Sequence, residues 1–106
     1  MEIKGQFLYG LTHEGRTYRE FSLRVPTLAD VEDAIEAAQA EAGEAAGAAR
    51  IERHKWAACL SVEGLPPGAL TADLLGTLPA REWSTLRDAE EALLKKLAAG
   101  TAPAAG

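Results

Sequence analysis

At Val25-Pro26-Thr27 the spacing of apolar residues changes, and that change divides the chain into two kinds of structure. Before it, apolar side chains fall on every second residue. Ile3, Phe7, Tyr9 and Leu11 take the odd positions of "IKGQFLYGL", and Phe21, Leu23 and Val25 those of "RTYREFSLRV". Successive strand side chains point to opposite faces, so a period of two describes strands with one apolar face. "THEG" lies between the two segments, and Gly15 is suited to a positive φ there. The pattern predicts an antiparallel hairpin over residues 3–25. A lone hairpin is barely stable in water, so the rest of the chain must cover its apolar face.

After the change, "VPTLADVEDAIEAAQAEAG" carries Leu28, Val31, Ile35, Ala38 and Ala42 in alternating steps of three and four, the stripe of an amphipathic helix. Thr27 suits the N-cap, where its hydroxyl accepts from a free backbone N–H, and Asp30 stands where a carboxylate reaches back. Gly43 is a natural stop. Helices are expected over residues 28–42 and 48–62, with Gly47 weakening the start of the second. Gly64, Pro66, Pro67 and Gly68 then forbid continuation, because proline lacks an N–H and fixes φ. "LTADLLG" reads as a short helix over 71–75 with Thr71 as its cap. A last helix is expected over 79–98, with Pro79 in its first turn, where a missing N–H does little harm. Trp83, Leu86, Leu93 and Leu97 share one side of it, interrupted by Glu90.

The expected fold class is α+β, mostly α: an N-terminal β-hairpin packed on a small bundle of three to four helices. A chain of 106 residues is one domain by length, here 1–98, with a flexible tail over 99–106. Aromatics are 6% of the chain and alanine inflates its apolar fraction, so the core is modest and a partner or self-association could add stability.

Charge narrows the function classes. The net charge is −5, whereas nucleic-acid surfaces carry a basic footprint. No apolar run is long enough to span a bilayer, and "MEIKGQFLYG" lacks the pattern of a signal peptide, so a cytoplasmic site is expected. Residues 26–49 hold Asp30, Glu32, Asp33, Glu36, Glu41 and Glu44 with no lysine or arginine; Arg50, Arg53 and Lys55 come directly after. If the first two helices pair antiparallel, opposite signs could meet across them; a solvated acidic face is the simpler reading.

No constellation for chemistry emerges. His13, His54 and Cys59 are the soft ligand candidates. His54 and Cys59 lie five apart, on different sides of a helix, and no metal-ligand spacing exists. With one cysteine, no intrachain disulfide forms. Ser61, Ser84 and Thr85 stand in no nucleophile motif, and the glycines are dispersed among turns rather than gathered in a phosphate loop. No catalytic residue, cofactor site or metal site is expected, and the chain does not read as an enzyme.

"FSLRVPTLADVEDA", then "WAACLSVEGLPPGAL", then "LLGTLPAREWSTLRDAEEALLKKL" resemble, in order and spacing, the Mu-like phage tail assembly chaperone family. Leu23, Arg24, Pro26, Thr27 and Asp30 match its helix start. Leu60, Gly64, Leu65 and Pro67 match its turn, and Leu75, Leu78, Glu82, Trp83 and Leu86 its last element. The resemblance covers residues 20–98. It implies a non-catalytic factor of the host bacterial cytoplasm that binds the phage tail tape-measure protein and keeps it soluble while the tail tube forms. It also implies absence from the finished virion, with the tail tube protein and a homo-oligomer as further possible contacts. The alternatives are a structural tail or virion component and a small prophage DNA-binding regulator. The last would need a basic recognition helix, yet over residues 79–98 Arg81, Arg87, Lys95 and Lys96 are balanced by Glu82, Asp88, Glu90 and Glu91.

Candidate partner-binding residues are Leu65, Leu70 and Leu74 of the proline-stiffened elbow and Trp83 at the head of the last helix. Local helix formation does not require this apolar segment. The competing reading is that the three leucines cap the core. Trp56 and Trp83 are core anchors by default and contact hot spots if exposed.

Overall fold

The computed structural model describes residues 1–100. β1 (Glu2–His13) and β2 (Arg16–Arg24) form the expected hairpin. Its two-residue turn places Glu14 at φ 49° and Gly15 at φ 78°. Both values are positive, the conformation that matches the right-handed twist of paired strands. A third strand, β3 (Leu60–Val62), pairs antiparallel with β2 through Phe21↔Val62 and Leu23↔Leu60. The fold is α+β, a three-stranded antiparallel sheet in the order β1-β2-β3 packed on helices.

β3 is a correction to the helix expected over 48–62. That helix, α2 (Ala48–Cys59), ends at Cys59, and Leu60 is already extended at φ −96°, ψ 140°. Leu60, Ser61 and Val62 are buried, exposed and buried in turn, the signature of a half-covered strand. Pairing gives these residues a backbone ladder on β2 while Leu60 and Val62 still enter the core. A helix would satisfy the same apolar residues, so only the tertiary partner decides.

α1 (Leu28–Ala42) has the expected boundaries and the expected cap. Thr27 Oγ1 accepts from Asp30 N at 3.2 Å, and Asp30 Oδ2 accepts from Thr27 N at 2.7 Å. Its stripe is shifted from the expected one. Ala34 and Ala38 are buried and Val31 and Ile35 half-buried, while Ala42 is exposed and Leu28 is 84% exposed. Small residues let α1 lie close along α2. The pair is antiparallel: Asp30 reaches Cys59 at one end, and Glu41 reaches Arg50 at 3.0 Å and His54 at 2.8 Å at the other. Opposite charges therefore do meet across the pair.

α3 (Ala72–Leu75) is capped by Thr71, whose Oγ1 accepts from Leu74 N at 3.1 Å. α4 (Glu82–Gly100) begins three residues later than expected, after a turn in which Glu82 N donates to Pro79 O. It continues to Gly100, so residues 99–100 of the expected tail are helical, and the rest of that tail lies outside the described residues.

α4 lies against β1 and β2. Phe7, Leu11, Phe21 and Leu23 of the sheet meet Trp56, Leu75, Leu86 and Leu93 of the helices in one core. The Phe7 and Phe21 rings are 4.8 Å apart and tilted. Gly5 makes room for them, since a Cβ there would stand 2.7 Å from the Phe21 ring.

Candidate interaction surface

β1 is not a regular strand. Its register with β2 runs from Glu2↔Arg24 to Gln6↔Glu20 and resumes at Leu11↔Tyr18. Phe7, Leu8, Tyr9 and Gly10 thus stand opposite Arg19 alone. A bulge this large leaves backbone groups without ladder partners, and buried backbone groups must be satisfied. Two side chains supply the partners. Glu82 accepts from Leu8 N at 2.9 Å, Tyr9 N at 2.9 Å and Gly10 N at 3.2 Å. Arg19 Nη2 donates to Leu8 O at 2.9 Å and Phe7 O at 3.4 Å. Gly10 sits at φ +97°, and a Cβ there would come within 2.5 Å of Thr17 Cγ2. The bulge needs glycine at that point for both reasons.

Glu82 is the most buried charged residue of the described chain, 1% exposed. Burial pushes its carboxyl up, but the backbone N–H groups of Tyr9, Leu8 and Gly10 and the Thr85 hydroxyl, at 2.9 Å, outweigh that and hold it below the ordinary value. It stays ionised, and its lone pairs are occupied within the fold. The odd-numbered alternation fails at one residue as a result. It expects Tyr9 on the apolar face, yet Tyr9 is 54% exposed, beside Leu8 at 55%. The bulge turns two consecutive large apolar side chains outward.

At the head of α4, Trp83 is 37% exposed. Its ring meets Trp56 edge-on at 4.9 Å. Trp56 is buried, and its Nε1 donates to Glu90 at 3.0 Å. Glu90, the residue that breaks the apolar side of α4, also holds Lys55 at 2.9 Å. Burial pulls Lys55 down, but Glu90 and Glu52 hold it protonated, above its ordinary value. Trp83, Trp56, Leu78 and Leu86 line an open groove of about 890 Å³. Arg50, Arg53 and the exposed Asp73 also line it: Arg50 meets Glu41, and Arg53 donates to Ala72 O at 2.8 Å and lies 3.8 Å from Asp73.

The four sequence-derived contact residues do not form one patch. Leu65, Leu70 and Leu74 are half-buried against the core. Leu65 and Leu70 share a small hollow of about 260 Å³ with Pro66 and Pro67. Trp83 belongs to the larger groove. Leu8 and Tyr9 are absent from the sequence-derived set. The signal for them is Gly10, an isolated glycine inside a strand pattern, which marks bulges. Nothing local points to Glu82 as the group that fastens the bulge.

Cys59 is 3% exposed, and its thiol is pushed up to about 11, chiefly by burial. Among the described residues no three histidine, cysteine, aspartate or glutamate side chains are grouped to hold a metal ion. No described helix is long and apolar enough to cross a membrane. No family model, curated protein or solved structure gives a significant match to this chain. Trp56, Trp83, Leu78 and Leu86 give the groove an apolar, partly aromatic wall, and Leu8 and Tyr9 of the bulge are exposed.

Proposed function

We propose that this protein is a non-catalytic tail assembly chaperone of a phage or prophage, working in the host bacterial cytoplasm. It holds the tape-measure protein in soluble form while the tail tube is built, and it leaves before the virion is complete. The observation that carries this reading is the groove beside Trp83, with large apolar side chains presented to solvent at Trp83, Leu8 and Tyr9. A tape-measure protein is long and helical, and its apolar stripes aggregate when uncovered. Helix-in-groove contact is the recurring way to cover such stripes. The order and spacing of Pro26-Thr27, Gly64-Leu65, Pro67 and Glu82-Trp83, which resemble the Mu-like family, support the same reading. The net charge of −5 favours solubility of a loaded complex.

The test is the solubility of the tape-measure protein encoded beside this chain, expressed with and without it. That protein is expected in the supernatant only when the chain is present. This chain is also expected to be missing from purified particles. Finding it there in stoichiometric amount would make it a virion component instead.

A further inference from the structure

The sheet ends in two unlike edges. In the order β1-β2-β3 the outer strands are β1 and β3. β3 spans Leu60–Val62, and its outward groups are partly used: Leu60 N donates to Trp56 O, and Val62 O accepts from Leu65 N. The first half of β1 is free. Glu63 N donates to Glu20 O, which makes Glu20 and Glu63 a hydrogen-bonded pair of β2 and β3. Backbone direction alternates along a strand, so Phe21 and Leu23 turn their groups the other way, to Gly5 and Ile3 of β1. The N–H and C=O groups of Glu2, Lys4 and Gln6 therefore point away from β2. All three residues are exposed, and among the described residues no turn, loop or helix backbone takes those groups. Beyond them Glu82 holds the N–H groups of Leu8, Tyr9 and Gly10, so no further strand can add there. A row of unpaired backbone groups is a template for another strand. The bulge confines that template to residues 1–6.

The side chains decide which strand fits. Glu2 and Lys4 stand on the face of the sheet away from the core, and neither has an ion-pair partner among the described residues. Arg24, across from Glu2, is taken by Asp30. An antiparallel strand that sets a lysine against Glu2 and a glutamate against Lys4 satisfies both, and β1 is itself such a strand. With Ile3 opposite Ile3 of a second copy, Glu2 meets Lys4 of the second copy, and Lys4 meets its Glu2. These are the residues whose backbone groups point outward, so each such pair also exchanges both N–H···O=C bonds. Opposite charges across a strand pair stabilise it, whereas the register that sets Lys4 against Lys4 is penalised. On the α4 side, Met1 is 58% exposed and faces Gly5 of the second copy, which has no side chain to meet it.

We infer that residues 1–6 form a docking edge for a second copy of this chain, joined antiparallel about a two-fold axis at Ile3. The surface is self-complementary, as a two-fold interface requires. This inference does not rest on the tape-measure reading.

The experiment is sedimentation velocity on the untagged full-length chain over a range of concentrations. It compares wild type with Glu2→Lys, Lys4→Glu and the double variant Glu2→Lys/Lys4→Glu. Both side chains are exposed and unpaired, so the fold survives, and circular dichroism with melting checks this. Wild type is expected to dimerise. Either single variant sets like charges against each other at both symmetry-related pairs, and its dissociation constant is expected to rise at least about tenfold. The double variant exchanges the charges and is expected to return to the wild-type value. An equimolar mixture of the two single variants sets lysines against glutamates again, so it is expected to form a dimer that neither forms alone. A wild type that stays monomeric up to about 1 mM overturns the inference, whether the edge is then open or taken by a strand of another protein. Single variants that associate like wild type, or a mixture that associates no better than its components, overturn it as well. The solubility of the tape-measure protein is a separate readout, so the proposed function stands or falls independently.

Discussion

Glu82 decides more of this molecule than any other single residue. Its carboxylate is 1% exposed and serves three backbone N–H groups and one hydroxyl. Removing an acceptor strands its buried donors, and each stranded group costs about 1–3 kcal/mol. Glu82→Ala is expected to lower the unfolding free energy by roughly 3 kcal/mol or more, read from urea denaturation. Against the ~5–15 kcal/mol of a typical domain this is a large fraction. The same group sets a pH dependence. Its folded value lies below the ordinary 4.5, so the folded state binds the proton less readily than the unfolded chain. Asp30 behaves alike: the bidentate Arg24 pair, at 2.7 and 3.0 Å, and the Thr27 N–H depress it well below the ordinary 3.8. Both contributions are complete above the unfolded values and are lost as pH falls through the folded ones. The melting temperature is expected to stay flat from neutral pH to about 5 and to drop below about 4. Glu82→Gln should remove part of that drop; a wild-type melting temperature that rises on acidification would contradict the assignment. Cys59 gives a third check. With its thiol raised to about 11 and buried, it should resist a thiol reagent at about pH 8 and react fully once urea unfolds the chain.

At the scale of elements, sequence and structure agree wherever a local device fixes the backbone. Thr27 and Asp30 form the capping box that starts α1, and Thr27→Ala is expected to cost about 1 kcal/mol in a thermal or urea melt. Gly15 makes the hairpin turn, Gly43 ends α1, and Thr71 starts α3. These were legible because each residue type has few alternatives at its position. β3 was not legible. Leu60-Ser61-Val62 is too short for its alternation to be told from the end of an apolar helix stripe, and its strand state comes from β2, which lies far away in sequence. The bulge has a local mark in Gly10, but its four-residue extent was not legible, since Glu82, which stabilises it, stands more than seventy residues away. Of the candidate contact residues, Trp83 is partly exposed and lines the groove. Leu65, Leu70 and Leu74 look alike in sequence whether they cap a core or meet a partner, and packing leaves them half-buried.

The whole molecule is a small sheet covered by helices, with an uneven surface. α1 turns Glu32, Asp33 and Glu36 to solvent, while the β1 bulge exposes Leu8 and Tyr9 and the head of α4 exposes Trp83. Acidic charge keeps one region wet, and apolar side chains leave the other ready for contact. On the proposed function, that division suits a small protein that holds a larger, aggregation-prone one. The measurement that tests this most directly is size-exclusion chromatography with light scattering on the chain co-expressed with the tape-measure protein encoded beside it. One soluble species containing both proteins at a defined stoichiometry is the predicted result. This chain eluting alone, with the tape-measure protein left in the pellet, would contradict the chaperone role.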